Sequence, residues 1–124
     1  MINIELDAIC AEIMGWAVRK NETFYRENDK KVVLGVNFKY LFVSDWIPST
    51  DIAQAKMVID RLIDKHKMRV ILVSHWNGSN WGCYMYPDPQ SDKGKVLRED
   101  KTLERAMCLA AAEVWEKIKG GDAK

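Results

Sequence analysis

Cys83 and His75 lie in the most aromatic stretch of the chain, and a thiol beside an imidazole is a minimal arrangement for an activated nucleophile. The local pattern argues against that use. Asn77-Gly78 between two apolar runs is a strong signal for a tight hairpin. A turn at Gly78-Ser79 sets Trp76 opposite Trp81 and Ser74 opposite Cys83. Side chains alternate between faces along a strand, so His75 then points away from Cys83. Cys83 reads as a half-buried structural thiol, the usual fate of a free cysteine.

Other reaction chemistries find no better footing. The two histidines, His66 and His75, belong to no zinc-ligand spacing, and His66 reads as positive charge at a helix carboxyl end. Asp60 and Asp64, and Glu113 and Glu116, share helix faces at spacings of four and three, the usual pattern of a solvated face. Gly78 and Gly82 sit inside a hairpin and not between a strand and a helix, so no phosphate-cradling loop is present. No catalytic residue, metal site or cofactor is expected.

Binding leaves more traces. A helix beginning at Ser49-Thr50-Asp51 has free N–H groups that can hold a phosphate, although Asp51 already brings negative charge there and favours a plain cap. Trp46, Trp76, Trp81, Tyr84 and Tyr86 gather around the hairpin and the approach to that helix. Aromatic side chains at such density serve a core or a subunit interface, or a platform on which a base stacks with Arg69, Lys95 or Arg98 at its phosphate. The ligand-binding residues to test are therefore Trp46, Ser49, Thr50, Arg69, Trp76, Trp81, Tyr84 and Arg98.

Composition restricts the partners. Nineteen basic and 18 acidic side chains leave a net charge of +1, so no general field draws the chain onto duplex nucleic acid. The three cysteines, at wide and irregular spacings, suit reduced thiols better than a disulfide framework. No apolar run approaches the roughly 20 residues that span a bilayer, and the acidic start MINIELDAIC is unlike a secretory leader. A soluble protein that stays in the compartment of its synthesis is expected.

The elements that must position these residues follow from periodicity. Leu6, Ile9, Cys10, Ile13 and Met14 form one stripe of a short helix ending near Gly15. Short strands are expected around 17–19 and 23–25, a turn over 27–30, and an interrupted strand over 31–43. Ile52, Ala55, Ile59, Leu62 and Ile63 define a second helix, opened by the Ser49-Thr50-Asp51 cap and closed by Lys65-His66-Lys67. The hairpin follows, then an exposed loop over 87–94, then a third helix opened by Thr102 with Leu103, Met107, Ala110, Ala111, Val114 and Ile118 on one stripe. At 124 residues one domain is expected, over 1–120, with 121–124 a frayed tail. The fold class is α+β: an α/β/α sandwich of three amphipathic helices and a mainly antiparallel sheet of about four strands.

Three stretches carry a family likeness: Leu6-Asp7 through Glu12-Ile13-Met14-Gly15-Trp16, Pro48-Ser49-Thr50-Asp51-Ile52-Ala53, and the Ala-rich run 105–112. Together they resemble the phage ABA-sandwich family of small phage and prophage proteins. The resemblance implies an α/β/α sandwich, with the Met14-Gly15-Trp16 turn leaving the first helix and Ser49-Thr50-Asp51 capping the second; the residues themselves suit Gly15 as a helix C-cap and Trp16 as a core anchor, and the expected place is the cytoplasm of a bacterial host. It brings no activity and no catalytic residue. Segments 23–31 and 87–94 depart from the likeness and are places where a specific surface can be built. The expected function is that of a non-enzymatic phage accessory protein that binds a small nucleotide used as a host-defence signal. The alternatives are an inhibitor of a host protein acting through an exposed apolar patch, an enzyme of unfamiliar type, and a virion component. Phe24, Tyr25, Tyr40 and Phe42 further suggest a homo-oligomer.

Overall fold

The computed structural model describes residues 2–15, 17–18, 24–27, 30–33, 46–76 and 79–120. The order is α1 (Asn3–Ile13), β1 (Ala17–Val18), β2 (Phe24–Glu27), β3 (Lys30–Val33), α2 (Ile52–His66), β4 (Arg69–Trp76), β5 (Asn80–Tyr86), β6 (Val96–Asp100) and α3 (Leu103–Gly120). All three expected helices form. Among the described residues the strands make two antiparallel three-stranded sheets, β1-β2-β3 and β4-β5-β6, in place of one sheet of about four strands.

Each helix boundary has a local cause. Gly15 follows α1 at φ +87°, a left-handed conformation that favours glycine, and a Cβ there would lie 3.0 Å from Arg61 Nη2. The cap of α2 is Asp51 alone: its carboxylate accepts the Gln54 N–H at 3.0 Å, while Ser49 and Thr50 lie in the turn before it. At the other end Lys67 turns left-handed and the Met68 N–H reaches back to the Leu62 carbonyl at 3.3 Å. Thr102 opens α3, its hydroxyl accepting the Arg105 N–H at 3.3 Å.

The core sits between the β4-β5-β6 sheet and the helices. α3 lies across β5 and β6, and α1 and α2 pack in turn on α3, α2 also touching β4. Residues 106–112 of α3 are therefore buried without interruption, whereas the sequence pattern suggested a single stripe. The alanines at 106, 110, 111 and 112 make this geometry feasible, because a helix enclosed on several sides needs small residues where backbones approach. Leu6, Cys10 and Ile13 of α1, Val58 and Leu62 of α2, and Cys83, Met85 and Val96 of the sheet complete the core.

β6 is an element that local patterning does not disclose. Val-Leu-Arg-Glu-Asp has no apolar alternation, yet Val96 pairs with Met85 and Arg98 with Cys83. Its charged residues suit a strand at the edge of its sheet. Ion pairs and hydrogen bonds then tie the layers together: Arg105 Nη1 pairs with Asp100 at 2.7 Å, and Arg105 Nε donates to Asn3 Oδ1 at 2.9 Å. Glu12 of α1 accepts from Trp115 Nε1 at 3.1 Å and from Lys119 at 2.8 Å, both on α3. Partial burial works to raise the Glu12 pKa, and these two donors outweigh it and hold the carboxyl below its usual value. Among the described residues no helix is long and apolar enough to cross a membrane. The expected roles of Trp16, Tyr40 and Phe42, and of the side chains of Phe24 and Tyr25, fall outside the described residues, as does the expected strand beyond position 33.

Candidate functional site

The β4–β5 ladder contains one irregularity that changes which residues meet. Arg69 pairs with Tyr86, Ile71 with Tyr84, Leu72 with Cys83 and Val73 with Gly82, and then the register shifts so that Trp76 pairs with Asn80. The simple hairpin expectation of Trp76 opposite Trp81 and Ser74 opposite Cys83 is thus corrected. An extra residue between Val73 and Trp76 displaces the end of β4, as β-bulges do. Trp81 lies opposite Asp100 of β6 and packs, half-buried, against the core.

Alternation along β5 separates its two faces. Cys83 and Met85 turn toward the core, so Tyr84 and Tyr86 turn the other way, both half-buried. Their rings stack with centroids 6.2 Å apart and 18° between planes. Arg69, directly across the ladder, places its guanidinium 4.1 Å from the centre of the Tyr86 ring. Lys95, just before β6, places its ammonium 5.9 Å from the centre of the Tyr84 ring. Two π faces and two cations thus share one face of the sheet, an arrangement that attracts a flat ring bearing negative charge.

The remaining sequence-designated residues go elsewhere. Arg98 is on the opposite face from Tyr84 and pairs with Glu113 of α3 at 2.9 Å. Trp46 and Ser49 are buried around Asp7: Trp46 Nε1 donates to the Asp7 carbonyl at 2.8 Å, and the Ser49 N–H donates to Asp7 Oδ1 at 2.9 Å. The Ser49 N–H is thereby committed to a carboxylate, and the Asp51 carboxylate accepts the Gln54 N–H at the first turn of α2, so an anion meets two negative groups there. Thr50 bonds back to Ile47 through its N–H and its hydroxyl, at 2.9 and 3.3 Å. The Trp76 side chain lies outside the described residues. Of the eight designated residues the fold brings Arg69 and Tyr84 together, and it adds Tyr86 and Lys95, which the aromatic and basic run around the hairpin had already flagged.

A second feature is an aliphatic groove of about 300 Å³ between α2, β4 and the start of α3. Ile52, Ile59 and Ile63 of α2, Val70 and Leu72 of β4, and Met107 of α3 form its walls, with Lys56 and Asp60 on its rim. Ile52, Ile63 and Leu72 are 46, 39 and 44 % exposed, a large fraction for adjoining aliphatic side chains.

Cys10, Cys83 and Cys108 are free and buried. Burial pushes the Cys83 thiol up to about 12, and the Cys10 thiol is held well above its ordinary value by its hydrogen bond with Cys108 and by burial. His66 packs edge-on against Trp115 at 5.4 Å. Burial, joined by Arg61 and Lys65, lowers its pKa below the ordinary imidazole value, and it shares the last turn of α2 with Lys65. Among the described residues no group of three or more His, Cys, Asp or Glu can hold a metal ion. In the native state at pH 8, all three cysteines are expected to resist a thiol reagent and to react only as fast as the chain unfolds. Rapid stoichiometric labelling of one thiol in folded protein would show that this interior is open to solvent.

The chain belongs to the phage ABA sandwich domain family, whose model matches residues 7–112. No curated relative and no solved structure matches this sequence.

Proposed function

We propose that this phage ABA sandwich protein acts by binding and not by turnover, and that it holds a nucleotide on the Tyr84–Tyr86 face of its second sheet. The observation that carries the reading is the stacked tyrosine pair bracketed by Arg69 at 4.1 Å and Lys95 at 5.9 Å. A base offers a π face to the tyrosines, and its phosphate offers an anion to the two cations, which can exchange their contact with the rings for a charge-assisted one. A net charge of +1 keeps this attraction local, which suits a small ligand better than a duplex. In an infected cell such a protein would withdraw a nucleotide signal from host defence by mass action. An inhibitor of a host protein is the second reading, favoured by the exposed aliphatic groove beside α2.

The test is equilibrium binding against mononucleotides, cyclic dinucleotides and ADP-ribose derivatives, with recovery of the ligand afterward. Tyr84→Ala and Tyr86→Ala are each expected to weaken the best ligand by roughly tenfold or more, since a stacked base is worth about 1–3 kcal/mol. Arg69→Ala should weaken it and flatten its salt dependence. Arg98→Ala, on the opposite face, should leave affinity within about twofold of the parent. Binding that ignores both tyrosines, or a panel in which nothing binds, would overturn this assignment; a ligand returned chemically altered would establish turnover.

A further inference from the structure

The exposed stripe of α2 reads Ile52, Lys56, Asp60, Ile63 at spacings of four, four and three, on the side that lines the aliphatic groove. Reversed, the same stripe reads apolar, acidic, basic, apolar. Two copies of α2 laid antiparallel about a two-fold axis near residues 57 and 58 therefore set Ile52 against Ile63 of the other copy and Lys56 against its Asp60. Isologous pairing requires this kind of self-complementarity, because one patch must serve as both partners.

We propose that the α2–β4–α3 groove is a homodimer interface, with a second copy of this chain as its occupant. The apolar ends of the stripe and Leu72 supply the area removed from water, and the central charges fix the antiparallel register. Within one chain Lys56 already reaches Asp60 at 3.1 Å, and both side chains are well exposed, at 71 and 52 %. Each can thus exchange its partner for the equivalent residue of the second copy without disturbing the fold. At 15 residues α2 is about 22 Å long, enough to carry the central contact of a standard interface. β4 touches α2 and stands first in the order β4-β5-β6 among the described residues. This inference is independent of the nucleotide reading, which uses the opposite face of the sheet, and it takes the groove that the host-protein reading would otherwise use.

Sedimentation equilibrium of the full chain, up to about 200 μM so that micromolar association is populated, is expected to show twice the mass of one chain. Lys56→Asp and Asp60→Lys each set like charges against each other twice across the two-fold and should raise the dissociation constant about tenfold or more. The double exchange, Lys56→Asp with Asp60→Lys, restores opposite charges and should return it to within about threefold. Ile63→Glu should give a folded monomer, its fold checked by an unchanged circular dichroism spectrum. A monomer at every concentration, or a dimer indifferent to these four variants, would overturn the proposal.

Discussion

Ala110→Leu is expected to destabilise the fold by about 3 kcal/mol, making it among the most damaging single changes of modest size in this chain. Ala110 is 0 % exposed and lies in a helix whose residues 106–112 are all buried, enclosed by the sheet and by α1 and α2. Three added carbons find no free volume, so either α3 lifts from the sheet or its neighbours leave their rotamers. Urea denaturation monitored by tryptophan fluorescence reads the change directly. Glu116→Leu, on an exposed position of the same helix, adds comparable apolar bulk and should stay within about 0.5 kcal/mol of the parent. A loss below about 1 kcal/mol for Ala110→Leu would mean that α3 is not packed as tightly as described.

Asp7→Ala is expected to be comparably severe, at about 2–3 kcal/mol, and Asp7→Asn much milder. The buried Asp7 carboxylate accepts the buried Ser49 N–H at 2.9 Å, so alanine leaves that donor without a partner, whereas asparagine retains an oxygen acceptor. Burial raises the Asp7 pKa above the usual carboxylate value, with the Ser49 hydrogen bond acting in the other direction. The folded chain thus holds the Asp7 proton more tightly than the unfolded chain does. Stability from the protonated form is full below the unfolded pKa and is lost as pH rises through the raised folded value. Relative to the parent, Asp7→Asn should therefore gain in melting temperature as pH rises through that window to neutrality. Equal destabilisation by asparagine and alanine at pH 7, or a pH trend of the opposite sign, would remove this account of Asp7.

The tie from Asp7 to Ser49 and Trp46 also marks where local reading ends. Pro48-Ser49-Thr50-Asp51 was legible as a helix start, and Asp51 does cap α2. Nothing local relates Ser49 to a carboxylate 42 residues earlier, or Trp46 to a carbonyl 39 residues earlier. The same limit governs the binding face. Arg69, Lys95 and Arg98 were equivalent cations near an aromatic run; strand pairing puts Arg69 across from Tyr86 and turns Arg98 to the other side, into an ion pair with Glu113.

What the sequence by itself determined was local: three helices, the starts of α2 at Asp51 and of α3 at Thr102, the stop at Gly15, the two strands of the hairpin, and membership of the phage ABA sandwich family through motifs within and beside α1, α2 and α3. Helical and strand periods, Gly15 and Asp51 act over a few residues, and their energetics are complete within one element. Tertiary structure alone decided the register shift before Trp76, the recruitment of charged β6 into the sheet, the unbroken burial of residues 106–112 of α3, and the gathering of Tyr84, Tyr86, Arg69 and Lys95. Each depends on which distant segment supplies the neighbouring surface. That choice is settled by packing the whole core and not by the preference of any one segment.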